Sequence, residues 1–317
     1  MLANKPLLSI VVTSYTTERL KDIFELLDSI KSQTYKNIEV IFVAERSKEL
    51  YEKVKEYGEK IGLGMFKALF NYGEPGLSQA RNLGIKHANG HIIAFVDDDV
   101  VLSSCWAEEL VRTFMLDDDI IGVTGPALPL WVDKSLSWLP EELHWLVSCT
   151  TWFNCKKISD VRNVWGHNMA FKSEVFKRIG YFQTWTGFSY RVPLFASSLG
   201  EDVDFSLRAK KIGKRLVYNP KVKVWHKVYS YRLSLKFIGE RSFWIGRSRR
   251  MLKKYYGKKG LSENMLSTES LLLKRIFSKL FARSVLYSDV RRFLIVLLIL
   301  LLVMLGYLFP FRFRSRA

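Results

Sequence analysis

Along the first hundred residues, short unbroken apolar runs alternate with stretches whose apolar residues recur every three or four positions. Leu7 to Ser14 (Leu-Leu-Ser-Ile-Val-Val-Thr-Ser) and Glu39 to Ala44 (Glu-Val-Ile-Phe-Val-Ala) are runs of the first kind, which suit strands covered on both faces. Between them, Leu20, Ile23, Phe24, Leu27 and Ile30 fall on one face of a helix spanning Glu18 to Gln33. Lys48 to Gly62 predicts a charged amphipathic helix, and Phe66 to Phe70 a short segment leading into the loop Tyr72 to Leu77. Ser78 predicts an N-cap for a helix from Gln79 to Ala88, ended by Asn89-Gly90. Ile92 to Val96 is the next strand, and it runs straight into Asp97-Asp98-Asp99. The alternation predicts an α/β fold with an open, mostly parallel central sheet flanked by helices. Ligands of such sheets sit beyond the carboxyl ends of the strands, where the acidic triplet lies.

Further on, Trp106 to Leu116 predicts a helix and Ile120 to Pro126 a strand. Trp131, Trp138, Trp145 and Trp152 recur every seven residues, a spacing that one helical face could carry, although Pro129 and Pro140 interrupt any long helix. Packing is the expected role of these tryptophans, ahead of a sugar- or lipid-facing platform. Ser173 predicts the cap of a helix through Ile179, with Gly180 at its end. A flexible stretch is expected from Gln183 to Gly200. Glu201-Asp202 then opens a helix over Val203 to Ile212, and Arg215 to Tyr218 and Val222 to His226 read as short strands.

Charge changes the picture, because it is unevenly spread. Met1 to His226 carries 29 Lys and Arg against 27 Asp and Glu, whereas Lys227 to Ala317 carries 20 against 4. A near-neutral globular part, residues 1–230, is therefore followed by a basic one. The three cysteines, Cys105, Cys149 and Cys155, lack paired metal-ligand spacing and fit a reducing, cytosolic setting. The N-terminus shows no charged and apolar pattern of a secretory signal. Residues 231–290 predict basic interfacial helices: Leu235 to Tyr256 is basic and aromatic, and Leu271 to Leu286 sets Leu272, Leu273, Ile276, Phe277, Leu280 and Phe281 against Lys274, Arg275, Lys279 and Arg283. That pattern suits an anionic membrane surface. Residues 291–317 hold an uncharged core, 293–309, which as a helix would reach about 26 Å, at the short end for a bilayer. Arg291-Arg292 on one side and Arg312, Arg314 and Arg316 on the other leave it unoriented, so it reads as transmembrane, tilted or re-entrant. Interleaved apolar and basic residues fit lipid better than nucleic acid.

The candidate chemistry centres on carboxylates. Three adjacent acids at a strand end repel one another unless a cation or a hydrogen-bonding ligand offsets them, with a solvated acidic turn as the plainer alternative. Glu201-Asp202 has a plainer reading too, since acids in a first turn suit the helix dipole. Taken in order, Ser9 to Tyr15, Gly76 to Gly84 (Gly-Leu-Ser-Gln-Ala-Arg-Asn-Leu-Gly), Ala94 to Asp99, Gly200 to Asp204 with Arg208, and Val224-Trp225-His226 resemble the motifs of the family 2 glycosyltransferases. The resemblance spans about Leu7 to His226 and is specific as an ordered set.

That resemblance implies a GT-A fold and an inverting transfer from a nucleotide sugar, with a divalent metal, Mn2+ or Mg2+, offsetting charge on the leaving diphosphate. By position, Asp97 takes the ribose role and Asp99 the metal role, while Asp98 stays open between them. Asp202 takes the role of the base that accepts the acceptor's proton, and Glu201 shapes the acceptor site. Arg81 matches a basic residue near the nucleotide, and Thr13 and Tyr15 flank the base-binding pocket. Relatives often carry an Asp pair after the second strand, whereas this chain has Ala44-Glu45-Arg46-Ser47. Glu45 can still accept from a nucleobase N–H, which favours uridine. His226 matches a diphosphate- or metal-binding position in some relatives, beside a purely structural role.

The expected protein is a glycosyltransferase at the cell membrane, its catalytic domain on the cytoplasmic side, acting on a polyprenyl phosphate or a lipid-linked saccharide. A processive polysaccharide synthase fits less well, because the chain has no Gln-x-x-Arg-Trp motif and a single candidate spanning segment. A non-catalytic sugar-nucleotide sensor would need no base and so leaves Asp202 unexplained.

Overall fold

The computed structural model describes residues 5–134, 138–184, 200–257, 267–281 and 290–309. Most of the stretch expected to be flexible (185–199), the end of the second tail helix (282–286) and Arg312, Arg314 and Arg316 lie outside them. Two compact units are present, one formed by Met1–Val132 with Ser148–Val228, the other by Asp133–Val147 with Tyr229–Ala317.

In the first unit, β1 (Leu8–Ser14), α1 (Leu20–Lys31), β2 (Ile38–Glu45), α2 (Lys48–Lys60), β3 (Met65–Asn71), α3 (Leu77–His87) and β4 (Ile92–Val96) follow in order. The strands pair in parallel as β3-β2-β1-β4, with Val12 beside both Phe42 and Val96. Their unbroken apolar character has a direct cause: alternate side chains enter two separate cores. Leu8, Ile10 and Val12 pack with α1, α2 and α4 (Trp106–Phe114), whereas Val11, Ile41 and Val43 pack with α3, α5 (Ser173–Ile179) and α6 (Glu201–Lys210).

Beyond β4 the sheet turns mixed. The full order is β3-β2-β1-β4-β9-β6-β10-β8, where β6 is Ile120–Thr124, β8 Ser159–Asp160, β9 Asn168–Lys172 and β10 Arg215–Tyr218. β9 lies antiparallel to both β4 and β6. A second, three-stranded sheet is ordered β5-β11-β7, from Val100–Leu102, Val224–Val228 and Ala127–Trp131. Its register sets His226 opposite Val100, directly after the acidic triplet. Close approach is built in at Gly125, where an added Cβ would lie 1.9 Å from the Val222 carbonyl oxygen, just before β11.

Two expected helix caps fall elsewhere. α3 starts at Leu77 with Gly76 as its N-cap, and α5 has Lys172 at its cap, so Ser78 and Ser173 sit inside their helices. Gly180 closes α5 at φ 78, the left-handed conformation that glycine tolerates. The heptad tryptophans do not share a helix. Trp131 ends β7, Trp145 lies in a 3-10 segment (Glu141–Val147), and Trp152 is buried against Phe153 and Trp165, as expected of a packing residue.

The second unit contains α7 (Leu235–Gly257), α8 (Ser267–Phe281) and α9 (Val290–Leu308). α7 and α9 cross closely at glycines: a Cβ on Gly246 would lie 1.9 Å from the Val303 carbonyl oxygen, and one on Gly306 1.9 Å from that of Phe243. Arg250 donates to the Tyr307 carbonyl at 2.9 Å, satisfying an orphan acceptor at the end of α9. Val296 and Ile299 are buried, while Leu294, Leu297, Leu298, Leu301, Met304 and Leu305 form an exposed stripe. Among the described residues no helix is long and apolar enough to cross a membrane. The spanning reading of 293–309 therefore finds no support.

Candidate active site

The carboxyl ends of β2, β1 and β4 lie side by side and deliver Glu45, Thr13 with Tyr15, and Asp97 to Asp99 to one edge of the sheet. Thr13 is partly buried and Tyr15 is exposed. Antiparallel pairing of β5 with β11 then brings His226 to the triplet from a distant part of the chain. The Lys227 backbone N–H donates to the Asp99 carbonyl at 2.9 Å, and His226 Nε2 lies 3.2 Å from Asp99 Oδ1.

Asp97, Asp99 and His226 each offer a ligand atom, all within 4.8 Å of one another. Two carboxylates and an imidazole are a donor set that Mn2+ and Mg2+ accept, so these residues fit a divalent ion. The family resemblance implies a ribose role for Asp97; the geometry also groups it with Asp99 and His226 as a residue that could hold a metal ion. Asp98 is not part of that group and lies 3.4 Å from Arg19. Burial pushes the Asp98 carboxyl up to about 7, against the opposing pull of the Arg19 charge.

A second cluster is tied to the first through Arg81. This buried guanidinium donates to Glu201 Oε1 at 3.0 Å and to the Gly166 carbonyl at 2.9 Å, and it lies 3.3 Å from Asp97 Oδ1. Arg81 therefore links the triplet to the start of α6. Asp202 stands beside it, its Oδ2 accepting from Gly166 N–H at 3.2 Å and its Oδ1 from Val203 N–H at 2.8 Å. Arg208 is committed within the fold to Asp204 at 2.9 Å and to the carbonyls of Ile179 and Tyr181.

Glu201 is the unusual member. Oε2 is buried and has no hydrogen-bond partner among the described residues. Burial, reinforced by the Asp202 charge, pushes its carboxyl up to about 7 even though Arg81 pulls the other way. A carboxyl whose folded pKa is raised favours folding fully below its unfolded value, and that contribution is lost as pH rises from about 4.5 through about 7. Glu201→Gln removes the group that must ionise. Urea unfolding is expected to show the variant gaining on the parent by on the order of 2 kcal/mol between pH 4.5 and pH 8. A constant difference between the two chains across that range would contradict the assignment.

Glu45 has a partly structural environment. Its Oε1 accepts from Asn71 Nδ2 and from Gly76 N–H, both at 2.9 Å, which ties the end of β2 to the loop before α3. Arg46 beside it adopts φ 64.

Sequence reasoning missed three supports. Asn168 on β9 accepts from Trp106 Nε1 and donates to the Val222 carbonyl, joining α4 to the approach of β11. Buried Lys227 is held by Asp22 at 2.7 Å and Glu25 at 2.5 Å, anchoring β11 to α1. Arg19, at the end of the short 3-10 turn Thr17–Arg19, pairs with Asp99. Only the buried face of α1 offered a hint of any of these, since Asp22 is buried beside the core residue Ile23, on the face that carries Leu26, Leu27 and Ile30.

Comparison with known proteins agrees with this geometry. A glucosyl-dolichyl phosphate glucuronosyltransferase of Haloferax volcanii is 29% identical over 267 residues, covering 84% of this chain and 83% of that protein. The uncharacterized glycosyltransferase EpsJ of Bacillus subtilis is 36% identical over 122 residues, covering 37% of this chain and 33% of its own. Among solved structures, the mannosyltransferase PcManGT from Pyrobaculum calidifontis in complex with GDP-Man and Mn2+ superposes with a TM-score of 0.64 at 16% identity, covering 96% of this chain and 88% of that one, a likeness of fold. The family model for glycosyl transferase family 2 matches residues 9–180, more than half of the chain, from the second residue of β1 to just past the end of α5. With the ordered motifs and the sheet that carries them, this match makes the chain a member of glycosyl transferase family 2, a glycosyltransferase that uses a nucleotide-sugar donor.

Proposed function

We propose that the protein transfers a glycosyl unit, with inversion, from a nucleotide sugar to a lipid-linked saccharide or a polyprenyl phosphate at the cytoplasmic face of the cell membrane. The observation that carries this reading is the pairing of two carboxylate clusters through one buried arginine. Asp97, Asp99 and His226 form one side, and Glu201 and Asp202 the other. A nucleotide bound at the β1, β2 and β4 edge would meet Thr13, Tyr15 and Glu45 at its base, and Asp97 at its ribose. Asp99 and His226, with Asp97 in reach, would hold a divalent ion, which when bound supplies charge neutralisation for the leaving diphosphate. Asp202 then accepts the proton of the attacking hydroxyl, its orientation set by the Gly166 and Val203 N–H groups. Glu201, locked on Arg81, lines the acceptor side. The Haloferax relative supports a lipid-linked acceptor, since its name describes transfer to a glucosyl-dolichyl phosphate. Further support comes from the second unit, where the exposed apolar stripe of α9 and the basic residues of α7 suit an anionic lipid surface. A uridine donor is favoured by Glu45.

The test is release of nucleoside diphosphate from a panel of UDP- and GDP-sugars by the full chain with Mn2+ or Mg2+. Vesicles containing anionic lipid would carry either a polyprenyl phosphate or a glycosylated one. Turnover with one donor that depends on both metal and lipid acceptor is the expected result. Metal-dependent transfer to a water-soluble saccharide alone, with no vesicle requirement, would remove the lipid-acceptor reading.

A further inference from the structure

Asp97, Asp98 and Asp99 crowd three carboxylates at one strand end, and like charges so close oppose one another's ionisation unless cations offset them. Two basic residues adjoin Asp99, and they are held very differently. The Lys227 ammonium is buried in two ion pairs, with Asp22 at 2.7 Å and Glu25 at 2.5 Å, and only its backbone N–H reaches Asp99. Arg19 instead reaches across from a three-residue 3-10 turn, its side chain 18% exposed, to pair with Asp99 Oδ2 while lying 3.4 Å from Asp98 Oδ1. Asp99 is thereby divided: Oδ2 serves the guanidinium, and Oδ1 faces His226 Nε2 at 3.2 Å on the side of the metal-ligand group.

A divalent ion on Asp99 would share one carboxylate with a permanent positive charge, and the two cations repel. An incoming diphosphate changes the balance, because it brings negative charge to both and its oxygens match a guanidinium fork. Building on the nucleotide-sugar reading of this site, we propose that Arg19 couples metal binding to donor binding, exchanging Asp99 for the donor's diphosphate. With its guanidinium on Asp99 it weakens binding of the metal alone; with its guanidinium on the diphosphate it strengthens the ternary complex. The coupling is reciprocal, so metal and nucleotide each tighten the other.

Calorimetric titration of the full chain with Mn2+, alone and with saturating UDP or GDP, tests this without reference to turnover. Arg19→Gln is expected to bind Mn2+ alone about tenfold more tightly than the parent, the scale on which one neighbouring charge shifts an ionic equilibrium. The same variant, saturated with Mn2+, should bind the nucleotide about tenfold more weakly. Arg19→Lys keeps the charge and should stay close to the parent in both titrations, which separates a charge effect from damage to the fold. Mn2+ affinity that is unchanged or lower in Arg19→Gln overturns the inference, because a guanidinium that merely orients Asp99 would give that result. If the parent chain binds both Mn2+ and nucleotide without mutual tightening, the coupling is absent and the nucleotide-sugar reading survives. A parent chain that binds neither UDP nor GDP in the presence of Mn2+ overturns that reading as well.

Discussion

Asp202→Asn is expected to lower transfer to a hydroxyl acceptor by roughly 10²- to 10⁴-fold, the usual contribution of a positioned general base, while leaving metal-dependent binding of the donor intact. The geometry supports that separation. Asp202 is held by backbone N–H groups of Gly166 and Val203, and the side chain bridging toward Asp97 is Arg81, which pairs with Glu201. An asparagine keeps one carbonyl oxygen, which can still accept from one of those two N–H groups, and it leaves the Arg81–Glu201 pair in place, so the donor side should survive. It cannot take a proton. The loss should appear in kcat with little change in the donor's KM, because the missing interaction belongs to the transition state. Single-turnover transfer within about threefold of the parent would take the base role away from Asp202. The same variant also discriminates between acceptors. A phosphate acceptor arrives ionised and needs no base, so a polyprenyl phosphate should be glycosylated by Asp202→Asn at close to the parental rate, and a saccharide hydroxyl should not.

The first half of the sheet was legible in the chain because its physics is local. β1, β2 and β4 are covered on both faces, so each had to be a continuous apolar run, and Ile23, Leu26, Leu27 and Ile30 had to recur with helical spacing to cover one of them. The order of the motifs then located the triplet and Glu201-Asp202 at strand and helix ends. What the chain hid is what depends on distant partners. β9 enters antiparallel between β4 and β6, where Asn168 meets Thr124 and the Val222 carbonyl across the core. The expected caps at Ser78 and Ser173 failed for a related reason: the preceding chain already supplies the turn, through Gly76 at φ 159 and through the end of β9. Arg19 and Lys227 are two of 49 Lys and Arg residues, and neither falls within the ordered motifs. Their meaning came only when folding set them beside one aspartate from positions more than 200 residues apart in the chain.

Asp99→Asn is expected to weaken Mn2+ binding by at least about 100-fold, beyond the 10- to 100-fold that loss of a supporting outer contact brings to a metal site. With the ion goes its stabilisation of the folded chain, so the rise in Tm that Mn2+ gives the parent should vanish in the variant. Asp99 holds this position because it is fixed from three directions. The backbone N–H of Lys227 binds its carbonyl, Arg19 binds Oδ2, and His226 stands at Oδ1. Asparagine removes the charge yet keeps the shape, and Arg19 retains Asp98 as a neighbour at 3.4 Å, so the fold itself should persist. Opposite signs make the pair informative: Arg19→Gln should tighten the metal and Asp99→Asn should release it. The double variant should then resemble Asp99→Asn alone, because the guanidinium acts on the metal through the carboxylate they share, and interacting side chains give non-additive effects. If instead the Arg19 substitution tightened Mn2+ equally in both backgrounds, its charge would be acting on the ion through space, and the exchange of Asp99 for diphosphate would not be the means of coupling.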